Sequence, residues 1–133
     1  MRVIIYSEKG YKKVICEDAA LLNEYIISDS FSETQINSRA LIAIADGVGG
    51  NAGGELASRY ILNQFDKINI EDITAEELHQ FIENCNTGLL EYAKQFPGKE
   101  NMATTLTGII LLPDTAIFFI LEIQECMACR AVI

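Results

Sequence analysis

The chain has 133 residues, half of them hydrophobic and 22% charged, with 19 Asp and Glu against 10 Lys and Arg. That length and balance suit one folded domain with a real core and exclude a disordered chain. The net charge of −9 argues against nucleic acid or an anionic membrane as the main partner, since both would repel it.

The opening ten residues hold too short an apolar stretch for a signal peptide. Pro113 and Asp114 break the longest apolar region before it reaches membrane-spanning length. The four cysteines, Cys16, Cys85, Cys126 and Cys129, are read as reduced thiols of a cytoplasmic protein.

In chain order, residues 2–6 and 12–16 predict two short strands around a turn at 8–10. Residues 17–39 are polar and mixed, with Tyr25 to Ser28 a candidate strand and Ser28 to Ser38 a loop. Leu41 to Ala45 is apolar without alternation, as expected of a strand central in a sheet or covered on both faces. Helical periodicity then runs over about 54–67. A second helix over about 74–95 starts at a Thr74–Glu77 capping box, carries the stripe Leu78, Phe81, Ile82, Cys85 and Leu89, and stops at Phe96-Pro97-Gly98. Residues 104–112 and 115–121 predict a hairpin about Pro113-Asp114. Strands, then paired helices, then strands imply an α+β fold with a largely antiparallel sheet, the helices packing together against the strands at 41–45, 104–112 and 115–121.

The segment Asp46-Gly47-Val48-Gly49-Gly50-Asn51-Ala52-Gly53-Gly54 carries the chemistry. A carboxylate ending an apolar strand is costly unless something positive binds it, and the glycines let backbone come close. Gly47, Gly49 and Ala52 formally fit a dinucleotide fingerprint, but Asp46 beside the pyrophosphate would repel it. A plain glycine turn with Asp46 as helix cap is the simplest alternative. A metal reading needs more oxygen donors. Glu17-Asp18 supplies the only adjacent acidic pair just after a predicted strand in the N-terminal region; standing alone, such a pair reads as solvated charge.

The ordered segments Lys13 to Ala19, Ile44 to Gly50, Glu55 to Ser58 and Met102 to Leu106 together resemble the metal-dependent serine/threonine protein phosphatases of the 2C type. That family pairs Glu-Asp with an Asp-Gly-x-Gly-Gly knot, an Ala-Ser helix and a Gly-Thr-Thr-Leu strand. The resemblance spans residues 1–119. It implies half of a four-layer sandwich of antiparallel sheets flanked by helices, and a two-ion Mn²⁺ or Mg²⁺ site. Asp46 would bridge the ions, the Gly47 carbonyl would ligate one, and Glu17 would serve the other. Asp18 would orient water at the metals, and Lys13 would meet the phosphate. The implied activity is hydrolysis of phosphoserine and phosphothreonine in a phosphoprotein, opposing a serine/threonine kinase.

Three departures stand out. Lys13 replaces the family's arginine and cannot form a bidentate fork. Ala103 replaces its glycine. The family's further metal-binding aspartates lie beyond this length and have no match between Thr107 and Ile133. Permitted codons for Leu121 to Met127, shifted by one base, encode the family's Gly-Asp-Ser-Arg-Val-Tyr. Residues 120–133 are therefore expected to be an out-of-frame tail that followed a slip near Phe118-Phe119, leaving a truncated chain of little activity. On that view Cys126 and Cys129 form an accidental pair. His79 reads as a helix-surface residue, and Cys16 and Cys85 as core thiols. A non-catalytic phosphatase-like binding module and a dinucleotide-binding domain stand as alternatives.

Overall fold

The structure is a computed structural model, and it describes residues 1–48 and 53–123. Among the described residues, seven strands and two helices follow in the order β1 (Arg2–Ser7), β2 (Asp18–Leu22), β3 (Tyr25–Ile27), β4 (Ser30–Gln35), β5 (Ala40–Val48), α1 (Gly54–Phe65), α2 (Ala75–Ala93), β6 (Ala103–Leu111) and β7 (Ala116–Ile123). β1 and β4 form a two-stranded sheet, and the other five lie in the order β3-β2-β5-β6-β7. Every pairing is antiparallel. The class is α+β, as the order of elements predicts.

The longest elements follow their local signals. The apolar run ending at Ala45 becomes the centre of β5, which continues through Asp46 and Gly47 to Val48. At α2, the Thr74 hydroxyl accepts from the Glu77 N–H at 3.2 Å, and the Glu77 carboxylate accepts from the Thr74 N–H at 2.9 Å. Leu78, Ile82, Cys85, Leu89 and Ala93 form its buried stripe. α1 lies on β2, β5 and β6, and α2 leans on α1. The two helices and the large sheet share one core, in which Phe65 stacks on Phe119 at 5.3 Å and meets Phe81 edge-on at 5.1 Å. Each such buried aromatic contributes on the order of 2–3 kcal/mol by removing its surface from water.

Two sequence expectations change, and a third is met in one of its two forms. Residues 12–16 form no strand: they lie in the connection between β1 and β2, with Val14 and Ile15 exposed. The expected loop at 28–38 contains β4, which pairs along β1 from Ser30↔Ser7 to Gln35↔Arg2. β5 lies central in the five-stranded sheet, as one of the two expected placements, and is covered only in part on its second face. Leu41, Ala43 and Ala45 face the helices, while Ile44 is 56% exposed on the other side, with Phe118 and Ile120 exposed on β7. The small sheet covers one end of that face, over Leu22, Ile27, Ile36 and Ala40. β7 runs to Ile123, and the expected tail lies outside the described residues from 124 onward.

Candidate metal centre

Alternation along β5 settles where its acid points. Ala45 and Gly47 are buried toward the helices, so Asp46 stands on the opposite face with Ile44 and Val48. β2 begins at Asp18, whose register partner on β5 is Asp46. Directly opposed residues in an antiparallel pair have Cβ atoms about 4.5–5.5 Å apart on one face. Two carboxylates therefore sit side by side. Partial burial and then the neighbouring Asp46 raise the Asp18 carboxyl above its ordinary range, and Lys13 opposes the shift.

Lys13 is the cation of this cluster. Its ammonium is hydrogen-bonded to the Glu17 carboxylate, which holds the lysine above its usual range, with smaller contributions from Asp18 and Asp46. The Glu17 side chain is 16% exposed and turned to Lys13. The residues that the sequence singled out thus come together, but Asp18 is the carboxylate placed beside Asp46. Glu17 is occupied by the lysine.

The backbone under the carboxylates is fixed by groups to which the sequence reading gave no role. The Ser58 hydroxyl, on α1, donates to the Glu17 carbonyl at 2.7 Å, and the Gly47 N–H donates to the same oxygen at 3.2 Å. The Thr104 hydroxyl donates to the Asp46 carbonyl at 2.9 Å. Ser58 and Thr104 are 1% and 0% exposed. The signal was present as Ala57-Ser58 and Thr104-Thr105, but only the crossing of α1, β5 and β6 shows what those hydroxyls hold. A Cβ on Gly54 would come within 2.7 Å of the Gly47 carbonyl oxygen. The glycines at 47 and 54 thus let the end of β5 and the start of α1 touch. Glu55 in that first helical turn pairs with Lys99 at 3.0 Å.

A cleft of about 520 Å³ opens beside the carboxylates, with Ile5, Tyr6, Ser7 and Glu8 on one wall and Asp18, Ala20, Ile44 and Asp46 on the other. Among the described residues, no three His, Cys, Asp or Glu side chains converge closely enough to hold a metal ion. The donors present fit a hard divalent cation in kind, being oxygen atoms only. In number they supply part of its shell. His79 stands exposed on α2, and the Cys85 thiol is buried in the core, which pushes it up to about 12. Gly49 to Ala52 and the Cys126–Cys129 pair lie outside the described residues.

The fold superimposes on those of solved bacterial phosphatases. Serine/threonine phosphatase Stp1 from Staphylococcus aureus matches with a TM-score of 0.69 at 25% identity, over 90% of this chain and 45% of that one. The Mycobacterium tuberculosis serine/threonine phosphatase PstP/Ppp matches with a TM-score of 0.66 at 23% identity, over 90% and 46%. A further bacterial serine phosphatase gives 0.68 at 22%, over 90% and 47%.

The chain has the fold of the bacterial serine/threonine phosphatases.

It spans about half the length of these structures, as an N-terminal half of the phosphatase fold would. No family model matches the sequence, and no curated protein matches it at a significant level. The phosphatase fold also removes the dinucleotide alternative. β5 is followed by two helices and an antiparallel neighbour, β6, instead of the parallel crossover that a dinucleotide unit requires. Among the described residues, no helix is long and apolar enough to cross a membrane.

Proposed function

We propose that this chain forms the part of a metal-dependent serine/threonine protein phosphatase that carries its first metal ligands and meets the phosphate. The supporting observation is the opposition of Asp18 and Asp46 on one sheet face with the Lys13 ammonium close by. Two like charges held together call for a cation.

Asp46 would hold two Mn²⁺ or Mg²⁺ ions, with the Gly47 carbonyl on one and Glu17 serving the other. When bound, such ions polarise the phosphoryl oxygens and acidify water for in-line attack on phosphorus. The chain's own groups do the rest. Asp18 would orient the attacking water. Lys13 attracts the phosphate as a point charge without the planar fork of an arginine. Ser58 and Thr104 keep the backbone at Glu17 and Asp46 from shifting as the charge changes. The substrate is a phosphoprotein, the opposing activity a serine/threonine kinase and the setting the cytoplasm.

Because only part of the ligand set is present, ions bind weakly and the chain alone turns over little p-nitrophenyl phosphate with Mn²⁺. Titration calorimetry with Mn²⁺ on the chain and on Asp46→Asn tests the site. Binding abolished by the substitution supports it, and binding that survives overturns it. Robust Asp46-dependent turnover would overturn the expected low activity.

The absence of a three-ligand cluster among the described residues favours one second reading, a phosphatase-like module that binds phosphorylated segments without hydrolysis. Metal-independent phosphopeptide binding in the presence of a chelator separates the two.

A further inference from the structure

The β1–β2 connection presents an unusual surface. Tyr11 is 102% exposed, Val14 88% and Ile15 54%, so three large apolar side chains stand in water on one short segment. The same segment carries Lys9, Lys12 and Lys13, three of only ten Lys and Arg in a chain of net charge −9. Lys9 is paired with Asp29 and Lys13 with Glu17, whereas Lys12 makes no ion pair among the described residues.

The segment is also ordered. The Lys13 N–H donates to the Gly10 carbonyl at 2.8 Å, closing a turn with Tyr11 and Lys12 at its two corner positions. Downstream, Cys16 is buried, with its sulfur 3.6 Å from the Ser7 hydroxyl and 3.4 Å from the Asp18 carbonyl. Tyr11 and Lys12 are therefore offered on a preformed corner beside Lys13, which itself feels Asp18 and Asp46. A preformed corner loses little conformational entropy on binding.

We propose that the Gly10–Lys13 turn selects substrates: it reads acidic and apolar side chains next to the phosphorylated residue. This rests on the phosphatase reading of the same site. Charge decides the class of partner. Lys9 and Lys13 are already paired with Asp29 and Glu17, so Lys12 is the cation of the corner left to meet a partner's charge, and it draws an acidic phosphorylated peptide and disfavours a basic one. Lys12 meets an Asp or Glu of the peptide, and Tyr11 and Val14 cover an apolar residue. The phosphate goes to Lys13. The chain's negative net charge argues against an anionic membrane, toward which a lysine–tyrosine corner could otherwise point.

The test is fluorescence anisotropy with labelled peptides that carry a non-hydrolysable phosphonate. One is flanked by Glu and Leu, one by Lys and Leu, and an unphosphorylated peptide is flanked by Glu and Leu. They are titrated with Mn²⁺ present against the full chain, Lys12→Glu and Tyr11→Ala, each checked by a thermal melt. Because Tyr11 and Lys12 are exposed, the melts should coincide. The acid-flanked phosphonate should bind about fivefold tighter than the lysine-flanked one, and Lys12→Glu should erase or invert that preference, as a single exposed charge contact allows. Tyr11→Ala should weaken both phosphonate peptides. Equal affinities in the native chain, no binding of any peptide, or a preference untouched by Lys12→Glu overturns the proposal. So does Tyr11- and Lys12-dependent sedimentation with phosphatidylserine vesicles. An acidic preference kept without any dependence on the phosphonate upholds the role of the turn and sinks the phosphatase reading instead.

Discussion

Asp18 and Asp46 are register partners across β2 and β5 and carry their carboxylates on the same sheet face. Like charges directly opposed across strands destabilise a sheet. Two carboxylates about 4 Å apart in water repel by about 1 kcal/mol. Partial burial first, and the neighbouring Asp46 second, raise the Asp18 carboxyl.

Asp18→Asn should therefore stabilise the metal-free chain at neutral pH, by about 1 kcal/mol. A carboxyl whose folded-state pKa lies above its unfolded value favours the folded state when protonated. That stabilisation is present at low pH and is lost as pH rises through the folded value. The advantage of the asparagine should accordingly shrink as pH falls toward about 4, the ordinary range of an Asp. Urea unfolding at several pH values checks this, and an advantage that grows on acidification would contradict it.

Mn²⁺ should reverse the ranking. An ion that binds only the folded chain adds about 2.7 kcal/mol at a hundredfold excess over its Kd. Thermal melts with and without Mn²⁺ should show the largest shift for the native chain, a smaller one for Asp18→Asn, which loses a carboxylate beside the ions, and almost none for Asp46→Asn. An equal shift in all three proteins would place the ion elsewhere.

Ser58→Ala should cost about 1–2 kcal/mol, the usual loss for a buried hydrogen bond, since the Glu17 carbonyl keeps only the Gly47 N–H. Gly54→Ala should be worse, because its Cβ meets the Gly47 carbonyl oxygen at 2.7 Å and backbone must move to admit it. Denaturant midpoints order the two variants. A Gly54→Ala protein as stable as the native chain would deny that contact.

Acid should weaken the α1 terminus. Burial alone would raise the Glu55 carboxyl, but Lys99 and the backbone N–H groups outweigh it and hold it below its ordinary range. Its stabilisation is present above the unfolded pKa and lost as pH falls through the folded value. Glu55→Gln should cost up to about 1 kcal/mol at pH 7 and nothing at acid pH. Unfolding curves at both pH values test it.

Elements with strong local signals were legible. The Thr74 capping box, the α2 stripe and the hairpin about Pro113 each form where their residues alone predict. β2 and β4 were not. Asp-Ala-Ala-Leu-Leu has no strand-like alternation, and Ser-Phe-Ser-Glu-Thr-Gln reads as loop, so only their partners β5 and β1 make them strands. Lys13-Val14-Ile15-Cys16 misled in the opposite sense: its apolar residues mark an exposed corner whose buried anchor is Cys16.

By itself the sequence determined that Asp46 follows an apolar run and precedes a set of glycines, because both are properties of neighbouring residues. It also determined which residue types could bind a hard cation. Only the tertiary structure decided that Asp18, and not Glu17, stands beside Asp46, and that Ser58 and Thr104 clamp the backbone beneath them. Those relations depend on strand register and on where α1 crosses the sheet. A one-residue slip of β2 would turn Asp18 to the other face.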